Sequence, residues 1–235
     1  MVIIFRFFIC LIPVVSFAQE SLNIAVTASF KPVLEALAEP FEAQTNINLN
    51  ISSASTGVLY QQVLSGAPFD IFFAADDKRP ALLSNQLSIN ENNLRIYAVG
   101  KLVLVVNGKR GFELADLSNY QGRVVIANPT LAPYGIAAKK VLQEVGFGGQ
   151  LVLANNVTQA RQYLVLGLAE VGLIAASVAQ DFEQVTEIDA TKYDVINQQL
   201  LVIKPSDRAQ SLLTFLNSAI ARDIIRHYGY ELPEL

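Results

Sequence analysis

Apolar and polar residues alternate through Leu22-Asn23-Ile24-Ala25-Val26 and again through Ile47-Asn48-Leu49-Asn50-Ile51. Period two is the signature of a strand with two different faces. Between these runs Val33, Leu34, Leu37 and Phe41 recur at helical spacing. They predict a helix over 30–43, with Pro32 tolerated in its first turn and Ser29 placed to cap it. A second strand is expected over 46–52. Val58, Leu59, Val63 and Leu64 then predict a helix over 57–65, stopped by Gly66-Ala67-Pro68. Phe69 to Ala74 is apolar throughout except for Asp70 and reads as a buried parallel strand. Asp77 is expected to cap a helix over 79–84. Strand and helix alternating this early predict a doubly wound α/β fold.

The long extended stretch Leu94 to Val106, broken by Gly100, has the form of a connection between two lobes. The first crossing is expected near Val99-Gly100. A loop-rich segment over 107–122 follows, with a short helix near 114–117. The second block repeats the scheme with strands over 123–127, 151–153 and 171–175 and helices over 136–145 and 158–169. Ser177 opens a short helix. Strands over 186–188 and 195–203 follow, the latter returning the chain to the first lobe. Asp207 is expected to cap one last helix over 209–228, closed by Gly229. The expected organisation is residues 19–99 plus 196–235 as lobe I and residues 100–195 as lobe II.

The turns at the strand ends carry the candidate chemistry. They are Ala28-Ser29, Ser55-Thr56, Pro133-Tyr134-Gly135 and Asn156-Val157. Each precedes a helix, whose first N–H groups lack intrahelical partners and whose dipole makes that end electropositive. Such turns hold anions without charged side chains. Ser29, Ser55 or Thr56, and Tyr134 add hydroxyl donors, and none of these turn positions is Arg or Lys. The plainer alternatives are helix capping for the serines and threonine and loop packing for Tyr134. Facing lobes would bring all four turns into one cleft. A fully deprotonated tetrahedral oxyanion offers only acceptors and suits such a ring of donors. Hydrogenphosphate would need a carboxylate to take its proton, and these turns supply none. Molybdate, tungstate and sulfate therefore fit better than phosphate, and sulfate is the smallest of the three.

Of 235 residues, 52% are hydrophobic and 16% charged. Part of that apolar share is residues 1–18, MVIIFRFFICLIPVVSFA, which read as a secretory signal peptide cleaved after Ala18. Cleavage removes Cys10, the sole cysteine, so no disulfide is expected. It also removes Arg6, taking the formal charge from −4 to −5. An acidic chain with scattered lysines is a poor nucleic-acid binder, and its overall field does not attract anions. No P-loop, nucleophile elbow, paired metal-ligand histidines or Cys–His pair is present. His227, the one histidine, has the context of a surface or packing residue. No enzymatic activity, catalytic residue, cofactor or directly ligated metal is expected.

The segments VTASFKPVLEALAEPFE and SSASTGVLYQQVLSGAPFDIFFAADDKRPALL resemble the periplasmic molybdate-binding proteins, the solute-binding components of molybdate ABC transporters. The resemblance extends through ANPTLAPYGIAAKKVL, AEVGLIAAS and TFLNSAIARDIIRHYGY, in order. It implies a two-lobed periplasmic-binding-protein-like fold of type II, each lobe a doubly wound sheet with flanking helices, hinged by crossing strands. It implies capture of molybdate, and of tungstate, in the periplasm and delivery to a membrane permease by a monomeric carrier. Molybdenum would be bound as its oxyanion through Ser29, a hydroxyl from Ser55 or Thr56, Tyr134, and the backbone N–H of Val157. Many relatives have Ala at the position of Tyr134 and a Tyr where this chain has Ala175, so Tyr134 would supply the phenol from the opposite side. The alternatives are a binding protein for sulfate or a small organic anion, an enzyme, or a sensor domain.

Overall fold

The structure is a computed structural model that describes residues 20–108 and 111–233. The expected signal segment with Cys10 lies outside the described residues. The chain begins with β1 (Glu20–Thr27), α1 (Lys31–Thr45), β2 (Ile47–Ala54), α2 (Thr56–Leu64), β3 (Ile71–Phe73), α3 (Lys78–Gln86) and β4 (Leu94–Gly100). It crosses into β5 (Leu102–Val106), β6 (Arg123–Ala127), α4 (Pro133–Glu144), β7 (Gln150–Ala154), α5 (Val157–Val165), β8 (Val171–Ala175) and β9 (Val185–Glu187). It returns through β10 (Ile196–Val202) and ends in α6 (Asp207–Leu216) and α7 (Ala219–His227).

Two five-stranded sheets result, ordered β2-β1-β3-β10-β4 and β7-β6-β8-β5-β9. Period-two alternation decides what covers each face. In the first sheet Leu22, Ile24, Val26, Ile71 and Phe73 point to the side of α1, α6 and α7. Their neighbours Ala25, Phe72 and Ala74 point to the side of α2 and α3 with Leu59, Val63 and Leu83. Because both faces are covered, β3 is apolar at every position, as parallel central strands are. This is the expected doubly wound α/β arrangement.

The two sheets share a plan. In the first, β1 is parallel to β2 and β3, and β10 runs antiparallel to β3 and β4. In the second, β6 is parallel to β7 and β8, and β5 runs antiparallel to β8 and β9. In each sheet the antiparallel strand inside the ladder is the one arriving from the other lobe. The two crossings leave the same corner, where Ile196 pairs with Gly100. The C-terminal tail adds to this corner: Val99 N–H donates to Glu231 O at 2.7 Å and Glu231 N–H to Val99 O at 3.0 Å.

Three capping expectations are corrected by the structure. Asp77 does not cap α3; its carboxylate accepts from Asn197 Nδ2 at 3.0 Å, and Asp76 Oδ1 accepts the Arg79 N–H at 2.8 Å instead. Asp207 lies inside the first turn of α6, where its charge suits the helix dipole, and Ser206 is the cap, accepting from Ala209 N–H. The expected single terminal helix is two helices, because Ser218 adopts an extended backbone and caps α7 through Ala221 N–H. Ser29 does not cap α1 either; the position before that helix is Phe30, and no side chain caps it.

Asp70, the polar exception in the buried run, ties β1 to the end of the chain's return. Its Oδ2 accepts from Asn23 N–H at 2.8 Å, and its carbonyl accepts from Ile203 and Lys204 N–H. Removing one partner of a partly buried bond strands the other. Asp70→Ala is expected to lower the unfolding free energy by about 1–3 kcal/mol in a urea titration, with no change in the anion affinity discussed below.

Candidate functional site

The carboxyl ends of the parallel strands of the two lobes face each other. Within lobe I the turn after β1 meets the turn after β2 through Ala28 N–H to Ala54 O at 2.9 Å. Within lobe II the turn after β6 meets the end of β7 through Asn128 N–H to Ala154 O at 2.6 Å. Several bonds join the lobes across the gap, three of them at these turns. Gly57 N–H donates to Leu131 O at 2.9 Å, Thr158 Oγ1 to Ala28 O at 3.3 Å, and Ser177 Oγ to Ser29 O at 2.7 Å. Ala28 and Ala75 of lobe I pack in one buried cluster with Tyr134 and Val157 of lobe II. The turns that bear the expected residues thus form one contiguous dry surface between the lobes.

Three hydroxyls on that surface have no hydrogen-bond partner of normal geometry among the described residues: Ser29 Oγ, Ser55 Oγ and Tyr134 Oη, the first and last of them lying beside Tyr230. Their residues are 1%, 3% and 2% exposed, so water does not reach them freely. Buried polar groups are paired in nearly all folded proteins, and each orphan costs about 1–3 kcal/mol. Three such orphans at the strand ends between the lobes mark a candidate ligand site.

Local backbone geometry explains how each is kept free. Ser55 stands at the N-cap of α2 with the extended backbone a cap requires (φ −67°, ψ 151°), yet its side chain accepts nothing from the helix. At the start of α5, by contrast, Asn156 does cap, accepting from Gln159 N–H at 2.9 Å. Val157 is the first residue of that helix, where the N–H has no intrahelical acceptor.

Thr56 is differently placed from Ser55. Its hydroxyl donates to Thr27 Oγ1 at 3.1 Å and accepts from Ala75 N–H at 3.1 Å. Both ends of that hydroxyl are spent on tying β1, α2 and the end of β3 together.

Tyr134 enters α4 directly behind Pro133, and its ring runs through the interior to the crossing strands. A Cβ on Gly100 would lie 2.0 Å from Tyr134 Oη and 2.9 Å from Gln198 Nε2. Glycine at the hinge is therefore what makes room for the phenol. Burial pushes the Tyr134 pKa well above the ordinary tyrosine value, and Tyr230 beside it adds to the shift. The phenol is a neutral donor at physiological pH.

No side chain in these turns is ionised. Arg79 lies at the rim, where it pairs with Asp76 and reaches Thr130 O at 3.4 Å. Lys31 pairs with Glu35 at the surface, 3.0 Å away. Among the described residues, no group of three or more His, Cys, Asp or Glu could hold a metal ion, and no helix is long and apolar enough to cross a membrane.

Sequence reasoning did not single out Ser177 or Tyr230 as site residues. Ser177 follows the carboxyl end of β8, a fifth strand end at the cleft, and that position was the available signal. Tyr230 is brought in by the tail that pairs with Val99, a contact with no local sequence signature.

A cleft between two lobes, lined by strand ends and hinged by crossing strands, defines a solute-binding protein. Residues 22–231 match the model of the bacterial extracellular solute-binding proteins, and the chain belongs to that family. It is similar to the molybdate-binding protein ModA of Azotobacter vinelandii, 34% identical over 226 residues that cover 89% of each chain. It is 31% identical over 221 residues to the molybdate-binding protein ModA of Rhodobacter capsulatus, covering 88% of this chain and 86% of that one. The solved Azotobacter vinelandii periplasmic molybdate-binding protein superposes with a TM-score of 0.81 at 33% identity, over 91% of this chain and all of the other (100%).

The contrast between the two neighbouring hydroxyls is testable. Thr56→Val keeps the shape and removes bonds to Thr27 and Ala75. It is expected to lower the unfolding free energy by about 1–3 kcal/mol, read from denaturant melts without added anion. Ser55→Ala removes a hydroxyl that bonds nothing in the protein and is expected to leave that melt unchanged.

Proposed function

We propose that the protein captures molybdate, and tungstate with it, as the intact oxyanion between its lobes, and delivers it in the periplasm to the permease of an ABC transporter. The observation that carries this reading is the set of three buried, unpartnered hydroxyls meeting between the lobes where no side chain is ionised. Ser29, Ser55 and Tyr134 would each donate to an oxyanion oxygen. The N–H of Val157 would donate from the opposing helix start, with the α2 and α5 dipoles adding to the field. Thr56 supports the ring from behind by holding Thr27 and Ala75. Molybdenum would make no bond to the protein; the anion is cargo, and no chemistry is done on it.

The donor set favours anions without protons. Hydrogenphosphate would bring an O–H into a ring of donors, and Asp76, at the end of β3, is already engaged by Arg79. Closure removes water and strengthens each N–H or O–H to oxyanion contact, since the local dielectric falls. The family resemblance and the 34% identity to a molybdate-binding protein support molybdate over sulfate among proton-free tetrahedral anions.

Titration calorimetry of the purified protein tests the reading. Molybdate and tungstate are expected to bind one to one, and sulfate and phosphate not at all. Heat with sulfate alone, or with no oxyanion, would overturn it. Ser55→Ala and Tyr134→Phe are each expected to weaken molybdate binding about tenfold to a hundredfold while the protein stays folded. Affinity is also expected to stay flat from about pH 6 to about pH 9, because the only titratable donor, Tyr134, has its pKa raised and keeps its proton throughout. A site built on lysine or histidine would lose affinity as pH rises through that range.

A further inference from the structure

Behind the three free hydroxyls runs a relay that crosses between the lobes. Ser177 Oγ lies 2.7 Å from the Ser29 carbonyl oxygen and 3.2 Å from Tyr230 Oη, all of it buried. The direction of the relay follows from chemistry. A carbonyl oxygen can only accept, so the Ser177 proton goes to Ser29 O. A serine hydroxyl has one proton, so Tyr230 must donate to Ser177 Oγ. The order is Tyr230 O–H to Ser177 Oγ, then Ser177 O–H to Ser29 O. It starts on the tail of lobe I, passes through lobe II, and ends on the lobe I turn that bears Ser29.

Each end of this relay is anchored. The Tyr230 ring packs edge-on against Phe30, at 5.4 Å between centroids, and Phe30 in turn packs on Phe73 and Tyr97. The next residue, Glu231, is paired with Val99 at the hinge. Ser177 sits in the short turn Ala176–Val178 directly after β8. The relay can exist only while the lobes are together, because Ser177 is its one member from lobe II.

We propose that Ser177, oriented by Tyr230, is a positioning residue that latches the closed lobes and holds the Ser29 turn so that its hydroxyl faces the anion. The proposal rests on the oxyanion-capture reading above.

Ser177→Ala and Ser177→Thr separate a latch from a packing residue. Opening the lobes breaks the relay in any case, so the Ser177→Ala melt without anion is expected to match that of the parent protein. Molybdate affinity is expected to fall about tenfold to a hundredfold. Stopped-flow measurement should place that loss in the dissociation rate, with the association rate unchanged, because closure follows encounter. Ser177→Thr retains the hydroxyl and is expected to recover most of the affinity. Tyr230→Phe should lie between the two. Unchanged molybdate affinity and dissociation rate in Ser177→Ala, with the parent protein binding tightly, would overturn the latch and leave the capture reading standing. Failure of the parent protein to bind molybdate would overturn the capture reading itself. A lower melt without anion, with the binding rates unaltered, would identify Ser177 as packing only.

Discussion

The proposed capture of an oxyanion sets one constraint on the molecule: buried donors must be kept unpaired until the anion arrives. An oxyanion could be held by lysine or arginine, but a point charge would take any anion of that sign. Neutral N–H and O–H groups discriminate by number and direction, and they do so best where water is excluded. The difficulty is that a folded chain tends to satisfy its own donors. Here Ser29 is kept out of its helix cap, Ser55 occupies a cap position without capping, and Tyr134 is threaded past Gly100 to a place beside Tyr230. Neighbouring residues of the frame are bonded by comparison. Thr56 links Thr27 to Ala75, and Asn156 caps α5.

The topology supplies the setting for those donors. Each lobe places the carboxyl ends of parallel strands, and the helix starts that follow, at one edge of its sheet. The strands that cross between lobes enter the opposite sheets antiparallel and leave from one corner, so the two edges face each other. Gly100 at that corner serves both hinge and site, because its missing side chain is where the Tyr134 phenol ends. The C-terminal tail returns to the same corner, and Lys101 Nζ bridges Glu187 at 2.9 Å and Glu231 at 3.1 Å there. The proposed binding and closure would therefore draw on the same few residues.

The fold was largely legible in the chain because its signals are local. Period-two alternation in β1 and apolar continuity in β3 and β8 state which strands have two covered faces, and those strands lie where the pattern puts them. The capping errors share one physical cause. Ser29, Asp77 and Asp207 have the right chemistry for a cap, but capping depends on backbone dihedrals and on what else competes for the oxygen. Asp77 is claimed by Asn197, 120 residues away, which no local window contains. The same limit applies to Ser55 and Thr56. Both are small hydroxylated residues at a strand end, and only the position of Thr27 and Ala75 shows which of them is spent on the frame. Ser177 and Tyr230 were beyond a linear reading because their contact spans 53 residues and two lobes.

In the proposed complex the hydroxyls of Ser29, Ser55 and Tyr134 surround one oxyanion. Anomalous diffraction at the molybdenum edge from crystals grown with molybdate tests it most directly, because the metal is located without reference to the protein model. A single molybdenum peak is expected between the lobes, with its oxygens within hydrogen-bond reach, about 2.5–3.2 Å, of Ser29 Oγ, Ser55 Oγ and Tyr134 Oη. A peak at the protein surface, or one in the cleft whose oxygens are held by Arg79 or a lysine while those three hydroxyls stay unpaired, would contradict it.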